Sequence, residues 1–191
     1  MVPESSTDYT WEDAVAAVGL DLSGGEDMVA DEVVEYTSVV RFCEPWEIGN
    51  PIHWDKRIAR QAGYRNVVVP VSAVKQTFVF SGAWRPGQPT RFPVGMDKNA
   101  AARQASYLLQ ARPLPFPPTS QGFFTDAEIE FFEPVCVGDR LTVKGNKVIS
   151  VRTRKTRVGY GAFYNRENLV YNQRGELVAR ANQGSYAYNP E

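Results

Sequence analysis

Residues 140–188 read RLTVKGNKVISVRTRKTRVGYGAFYNRENLVYNQRGELVARANQGSYAY. Two long runs, Arg140–Thr153 and Arg157–Tyr171, are rich in β-branched and aromatic residues, and a third, Glu176–Tyr188, follows the turn Asn172-Gln173-Arg174-Gly175. Such runs, punctuated by Asn and Gly, predict strands joined as hairpins. Just upstream, Asp126–Phe132 (DAEIEFF) predicts one more strand, closed by a turn over Glu133–Asp139 that contains Pro134 and Gly138. The C-terminal third of the chain therefore reads as an antiparallel meander of four strands.

Toward the N-terminus the pattern changes. Val33–Phe42 (VVEYTSVVRF) is β-branched and aromatic, which predicts a strand that ends before Pro45. Asn50-Pro51 predicts a turn, because the residue before proline leaves the α region. Trp54–Ala62 predicts a helix with Asp55 near its start and Gly63 at its C-terminal cap. Val67–Pro70 reads as an extended link, and the apolar run Val71–Phe80 as a buried helix. Residues 81–122 hold seven of the 13 prolines, so they form no single regular element; a short helix over Lys98–Leu109 fits inside. Residues 1–32 read as an N-terminal extension in which Thr10 caps a short helix with Val15 and Val18 on one face. Residues 33–191 then form a single domain with an insertion at 81–122.

The order is strand, helix, helix, insertion, four strands. Five antiparallel strands with one long apolar helix to cover a face predict an α+β hotdog fold: a curved five-stranded antiparallel sheet around a central helix. Its open edges need protection, and edge pairing in a dimer supplies it.

Composition narrows the functions. Lys plus Arg total 21 against 22 Asp plus Glu, a net charge of −1, which gives no general attraction to nucleic acid or to an anionic membrane. No apolar run reaches the roughly 20 residues of a membrane span, and the polar start MVPESSTDYTWED is no signal peptide. Two cysteines without a CxxC spacing, beside one histidine, make no standard zinc site. We therefore expect a reduced, cytoplasmic protein without metal or other cofactor.

The single histidine lies in Glu47-Ile48-Gly49-Asn50-Pro51-Ile52-His53. This segment, within FCEPWEIGNPIHWDKRIARQAGYRNVVVP, resembles the hydratase segment of the MaoC-like family, the (R)-specific enoyl-CoA hydratases and 3-hydroxyacyl dehydratases; FFEPVCVGDRLTVKGNKV and YNQRGELVARANQGSY resemble later parts of the same domain. The nearest variant is the fatty-acid-synthase-type dehydratase domain. The family pattern is Gly-Asp-x-Asn-Pro-aliphatic-His with Ala or Ser further on, and Asn50, Pro51, Ile52, His53 and Ala59 fit it. The resemblance implies water addition to a trans-2-enoyl thioester or its reversal. His53 is then the general acid or base, suited to proton transfer near neutral pH, and Asn50 orients the site. A backbone N–H of Val71 or Ser72, opening the apolar helix, would receive the charge on the thioester oxygen. Val71, Ser72, Tyr64 and Gly63 form the expected substrate-binding set.

The family glycine falls on Glu47 and the family aspartate on Ile48. Three sources for the missing carboxylate follow: Glu47 after a shift of the turn, Glu44 or Asp55, or a partner subunit. Arg152, Arg154 and Arg157, at the tip of a hairpin, form the one basic cluster and read either as a solvated turn or as a clamp for the phosphates of coenzyme A. The leading reading is a hydratase or dehydratase of an acyl-CoA or acyl-carrier-protein thioester, as a homodimer or as a heterodimer with another hotdog chain. The rivals are a substrate-holding, non-catalytic subunit of a heteromeric dehydratase, and an acyl-thioester binding protein or thioesterase.

Overall fold

In a computed structural model of the chain, residues 9–74, 86–87 and 114–190 are described. The elements are α1 (Trp11–Ala16), β1 (Met28–Val29), α2 (Tyr36–Cys43), α3 (Lys56–Gln61), β2 (Gln121–Phe131), β3 (Leu141–Thr156), β4 (Gly159–Asn172) and β5 (Leu177–Asn189), with 3-10 turns at Pro51–His53 and Val71–Ala73. The strands form one antiparallel five-stranded sheet in the order β1-β3-β4-β5-β2. This is the hotdog arrangement expected from the order of elements.

The expected four-strand meander is a meander of three, β3-β4-β5; β2, which begins at Gln121 rather than Asp126, crosses to the far side and pairs with β5. Thr156 pairs with Gly159 across a two-residue turn at Arg157-Val158. The β4–β5 turn uses Gly175 at φ 77°, a left-handed conformation that glycine adopts without steric cost. Gly161 has a different reason to lack a side chain. A Cβ there would collide with the Ala187 carbonyl oxygen and lie 2.6 Å from Tyr188 Cβ, on the neighbouring strand of a paired ladder that cannot move aside. We expect Gly161→Ala to cost about 1–3 kcal/mol by overpacking, read as a lower urea midpoint at unchanged slope.

Two further expectations need correction. Val33–Phe42 is not a strand; Tyr36–Cys43 is helical. Tyr36, Val39, Val40 and Cys43 recur at helical spacing, and Val39 and Cys43 are fully buried in the core. Packing of that stripe overrides the local preference of β-branched residues. The N-terminal strand is instead Met28–Val29, paired with Val143 and Thr142. Further along the same edge, Gly19 N–H donates to Val148 O and Leu22 N–H to Asn146 O, at 2.7 and 3.0 Å. The second correction concerns α1. Thr10 caps it in a reciprocal capping box with Asp13, but Ala14 and Ala17 are buried while Val15 and Val18 are exposed.

The main core joins Val39 and Cys43 of α2, Val67 and Val69 of the link, Ala73 and Val74, and Leu141, Val143, Val170 and Ala179 of the sheet. The helix expected over Val71–Phe80 is described only as far as Val74, where it opens as a 3-10 turn. The remainder of that run lies outside the described residues, as does the expected helix Lys98–Leu109. Cys43 and Cys136 are free and buried, and burial pushes both thiols up. Among the described residues no helix is long and apolar enough to cross a membrane.

Candidate active site

Asn50 is held extended before Pro51 (φ −69°, ψ 118°), and its side-chain oxygen accepts from the Ile52 N–H at 3.2 Å. Proline at the first position, with its fixed φ, starts the 3-10 turn that carries His53. Asp55 ends this turn and begins the next helix: its carboxylate accepts from Arg57 N–H at 2.7 Å and Ile58 N–H at 3.4 Å. Gly63, at φ 92°, closes α3, and the Tyr64 N–H returns to Ala59 O at 3.0 Å. The local grammar of the segment thus explains why His53 and Tyr64 leave opposite ends of a short helix.

The extended link holds them in place. Ile52 O accepts from the Val68 N–H at 3.1 Å. His53 Nδ1 lies 2.7 Å from Val68 O; a carbonyl only accepts, so Nδ1 carries a proton and donates. In the neutral ring Nε2 then keeps its lone pair, the state of a general base. The link is in turn paired with the turn after β2. Val69 N–H donates to Val135 O at 2.8 Å, Val137 N–H to Val67 O at 2.9 Å, and Val68 bridges Cys136. Asp139 fastens the same two segments. Its buried carboxylate accepts from both terminal nitrogens of Arg65 at 3.0 Å, from Arg174 at 3.0 Å and from the Cys136 N–H at 2.9 Å.

Between these segments opens a cavity of about 440 Å³. His53, Tyr64, Val71 and Ser72 line it, together with Ile52, Val68, Val69, Pro70 and Val74 on one side and residues 131–135 on the other. The wall is mostly apolar, as an acyl group requires. The N–H groups of Val71 and Ser72 open a helical turn, so no carbonyl of that turn stands behind them. The structure therefore brings together four of the residues singled out in the sequence. Gly63 shapes the chain without lining the cavity, and Asn50 acts as a cap.

The carboxylates near the motif are placed differently. Ile48 packs against the core, and its carbonyl accepts from Trp54 Nε1 at 2.6 Å. Glu47 stands exposed at φ 50° beyond the end of α2, outside the cavity lining. Asp55 is engaged as a cap and pairs with Arg57 at 3.1 Å; hydrogen bonds from Arg57 hold its pKa below the ordinary value. Among the described residues of the wall the carboxylate is Glu133. No spacing rule links it to His53, because only the pairing of residues 67–69 with 135–137 brings the two segments together. Arg152 and Arg154 share one face of β3, opposite Phe163 and Gly161, and Arg157 lies in the hairpin turn; all three are exposed and stand apart from the cavity lining.

Comparison with known proteins follows the same line. The sequence profile of the family described as FAS1-like, dehydratase domain region, matches residues 22–181. A curated protein of Thermomonospora curvata, named "Probable enoyl-CoA hydratase alpha subunit", is 26% identical over 156 residues, 81% of this chain and 45% of that protein's length. Among solved structures, the ChsH1-ChsH2 complex from Mycobacterium tuberculosis contains a chain that superposes with a TM-score of 0.64 at 19% identity, covering 94% of this chain and 96% of that one. The MaoC-like dehydratase from Rhodospirillum rubrum gives a TM-score of 0.54 at 18% identity, covering 92% and 94%.

Proposed function

Because the chain belongs to the FAS1-like dehydratase domain region family, within the MaoC-like hotdog hydratases and dehydratases, we propose that it acts on an acyl thioester, with His53 as the acid–base group. The reaction is addition of water to a trans-2-enoyl group, or loss of water from a 3-hydroxyacyl group. The supporting observation is the bond from His53 Nδ1 to Val68 O, which leaves Nε2 for proton transfer on the wall of an apolar cavity. Water bonds through oxygen to the β carbon, the electron pair of the double bond shifts toward the thioester oxygen, and the α carbon takes up a proton. A backbone N–H of Val71 or Ser72 suits that oxygen, since donors aimed at developing charge are among the strongest contributors to such reactions. The test is hydration of a short and a long trans-2-enoyl-CoA by wild type and His53→Ala; equal rates for the two proteins would falsify the reading.

The exposed cluster Arg152, Arg154 and Arg157 is the proposed contact for the phosphates of coenzyme A, which guanidinium groups pair bidentately. Replacing Arg152 and Arg154 by serine is expected to raise KM for acyl-CoA about tenfold and to leave KM for the matching acyl-pantetheine unchanged. Equal effects on both substrates would remove the phosphate clamp.

A second reading is favoured by Ile48. An apolar side chain packed into the core replaces the family carboxylate, and the similar proteins are named as an alpha subunit and as a two-component complex. In this reading the chain holds the substrate, and a second hotdog chain with an intact Asp and His completes the heteromer. Robust hydration by the chain purified alone speaks against it.

A further inference from the structure

We propose that Glu133 is the second proton-transfer group of this cavity and supplies from within the chain the carboxylate that position 48 lacks. This rests on the acyl-thioester reading above and goes further by assigning a complete acid–base pair to one chain.

Residues 67, 68 and 69 stand antiparallel to 137, 136 and 135. The pairing ends there, because Val71 begins a 3-10 turn, and Glu133 follows two residues from Val135 on the paired segment. His53 is tied to Val68 in the same link. Both therefore border one space, and Glu133 and His53 both line the 440 Å³ cavity. Arg65 fixes the position further: its guanidinium bonds Pro134 O at 3.4 Å and Asp139 at 3.0 Å, anchoring the residue next to Glu133 and the turn that follows. The other nearby carboxylates are excluded by placement, since Asp55 caps α3 and Glu47 stands outside the lining.

The chemistry balances with these two groups. The Glu133 carboxylate takes a proton from water as the water oxygen bonds to the β carbon. The π electrons move to the thioester oxygen as an enolate. The His53 imidazolium, held through Nδ1, gives its Nε2 proton to the α carbon, and the enolate collapses to the saturated thioester. The proton on Glu133 then passes to Nε2 and restores the starting pair.

The experiment measures crotonyl-CoA hydration by the full chain as wild type, Glu133→Gln, Glu133→Asp and His53→Ala. Glu133 is exposed, so its variants are expected to melt with the wild type. The expected result is a loss of about 100-fold or more in kcat for Glu133→Gln, within the range of general acid–base catalysis, with KM changed less than about threefold and a clear recovery in Glu133→Asp. Glu133→Gln at the wild-type rate, with His53→Ala inactive, would overturn the role of Glu133 and leave the acyl-thioester reading intact. A wild-type chain that binds acyl-CoA without turning it over would overturn it as well, because the pair would then be incomplete. Equal rates for wild type and His53→Ala would instead remove the underlying reading.

Discussion

Turnover of a trans-2-enoyl thioester is expected to fall about 10²- to 10⁴-fold in His53→Ala, the span typical of a lost acid–base group. The loss should appear in kcat, with KM nearly unchanged, because the cavity wall is mainly apolar and most of it is made by residues other than His53. The fold should persist. His53 is only half-buried, and the 3-10 turn that carries it is set by Asn50 and Pro51. Its side-chain hydrogen bond to Val68 O is backed by the parallel bond from Val68 N–H to Ile52 O. Free imidazole added to His53→Ala, entering the vacated space, should restore part of the rate. A KM effect with unchanged kcat would identify His53 as a packing residue.

Asp139→Ala is expected to be the most destabilising single change outside the cavity. The carboxylate is fully buried. It receives Arg65 through two bonds, Arg174 and the Cys136 N–H, and Gln173 Nε2 at 3.3 Å. Removing one partner of a buried pair costs about 3–5 kcal/mol, because the opposite charges lose their compensation. Arg65 and Arg174 are partly exposed, with relative side-chain areas of 46% and 32%, so water recovers some of that loss and the lower end of the range is expected. For a chain of this size a loss of about 3 kcal/mol lowers Tm by roughly 6–12 °C. Burial raises the Asp139 pKa, but hydrogen bonds from Arg65, the Cys136 N–H and Arg174 outweigh it and leave the group below its ordinary value of 3.8. A carboxylate depressed in the folded state contributes its stability fully above the unfolded value and loses it as pH falls through the folded one. Wild-type Tm should therefore drop below about pH 4 more steeply than that of Asp139→Asn. Parallel acid limbs would show that Asp139 makes no charge-linked contribution.

These two residues were unequally visible in the sequence. His53 stood out as the sole imidazole behind a rigid Asn-Pro pair, and its turn follows from proline geometry alone. Asp139 reads as a turn residue beside Gly138; nothing local shows that Arg65 and Arg174, remote in the chain, converge on it. Glu133 is similar. In sequence it is one acidic residue before a proline, and it gains significance only once the link at 67–69 is paired with 135–137.

The sequence by itself determined that four strands fill the C-terminal third, the turn at 172–175, the Asp55 cap and the Gly63 stop, because each depends on residues close in the chain: a β-branched and aromatic run, a left-handed glycine, a side chain reaching the next N–H. It did not place the β3–β4 turn, which lies at 157–158 rather than 154–156, nor the position of β2 beside β5. Tertiary structure alone decided that Tyr36–Cys43 is a helix and that Met28–Val29 supplies the fifth strand. The run VVEYTSVVRF satisfies both periods locally, and only burial of Val39 and Cys43 against the sheet selects one. It also decided that Glu133 and His53 line one cavity, since that arrangement is created by backbone pairing between segments far apart in the chain.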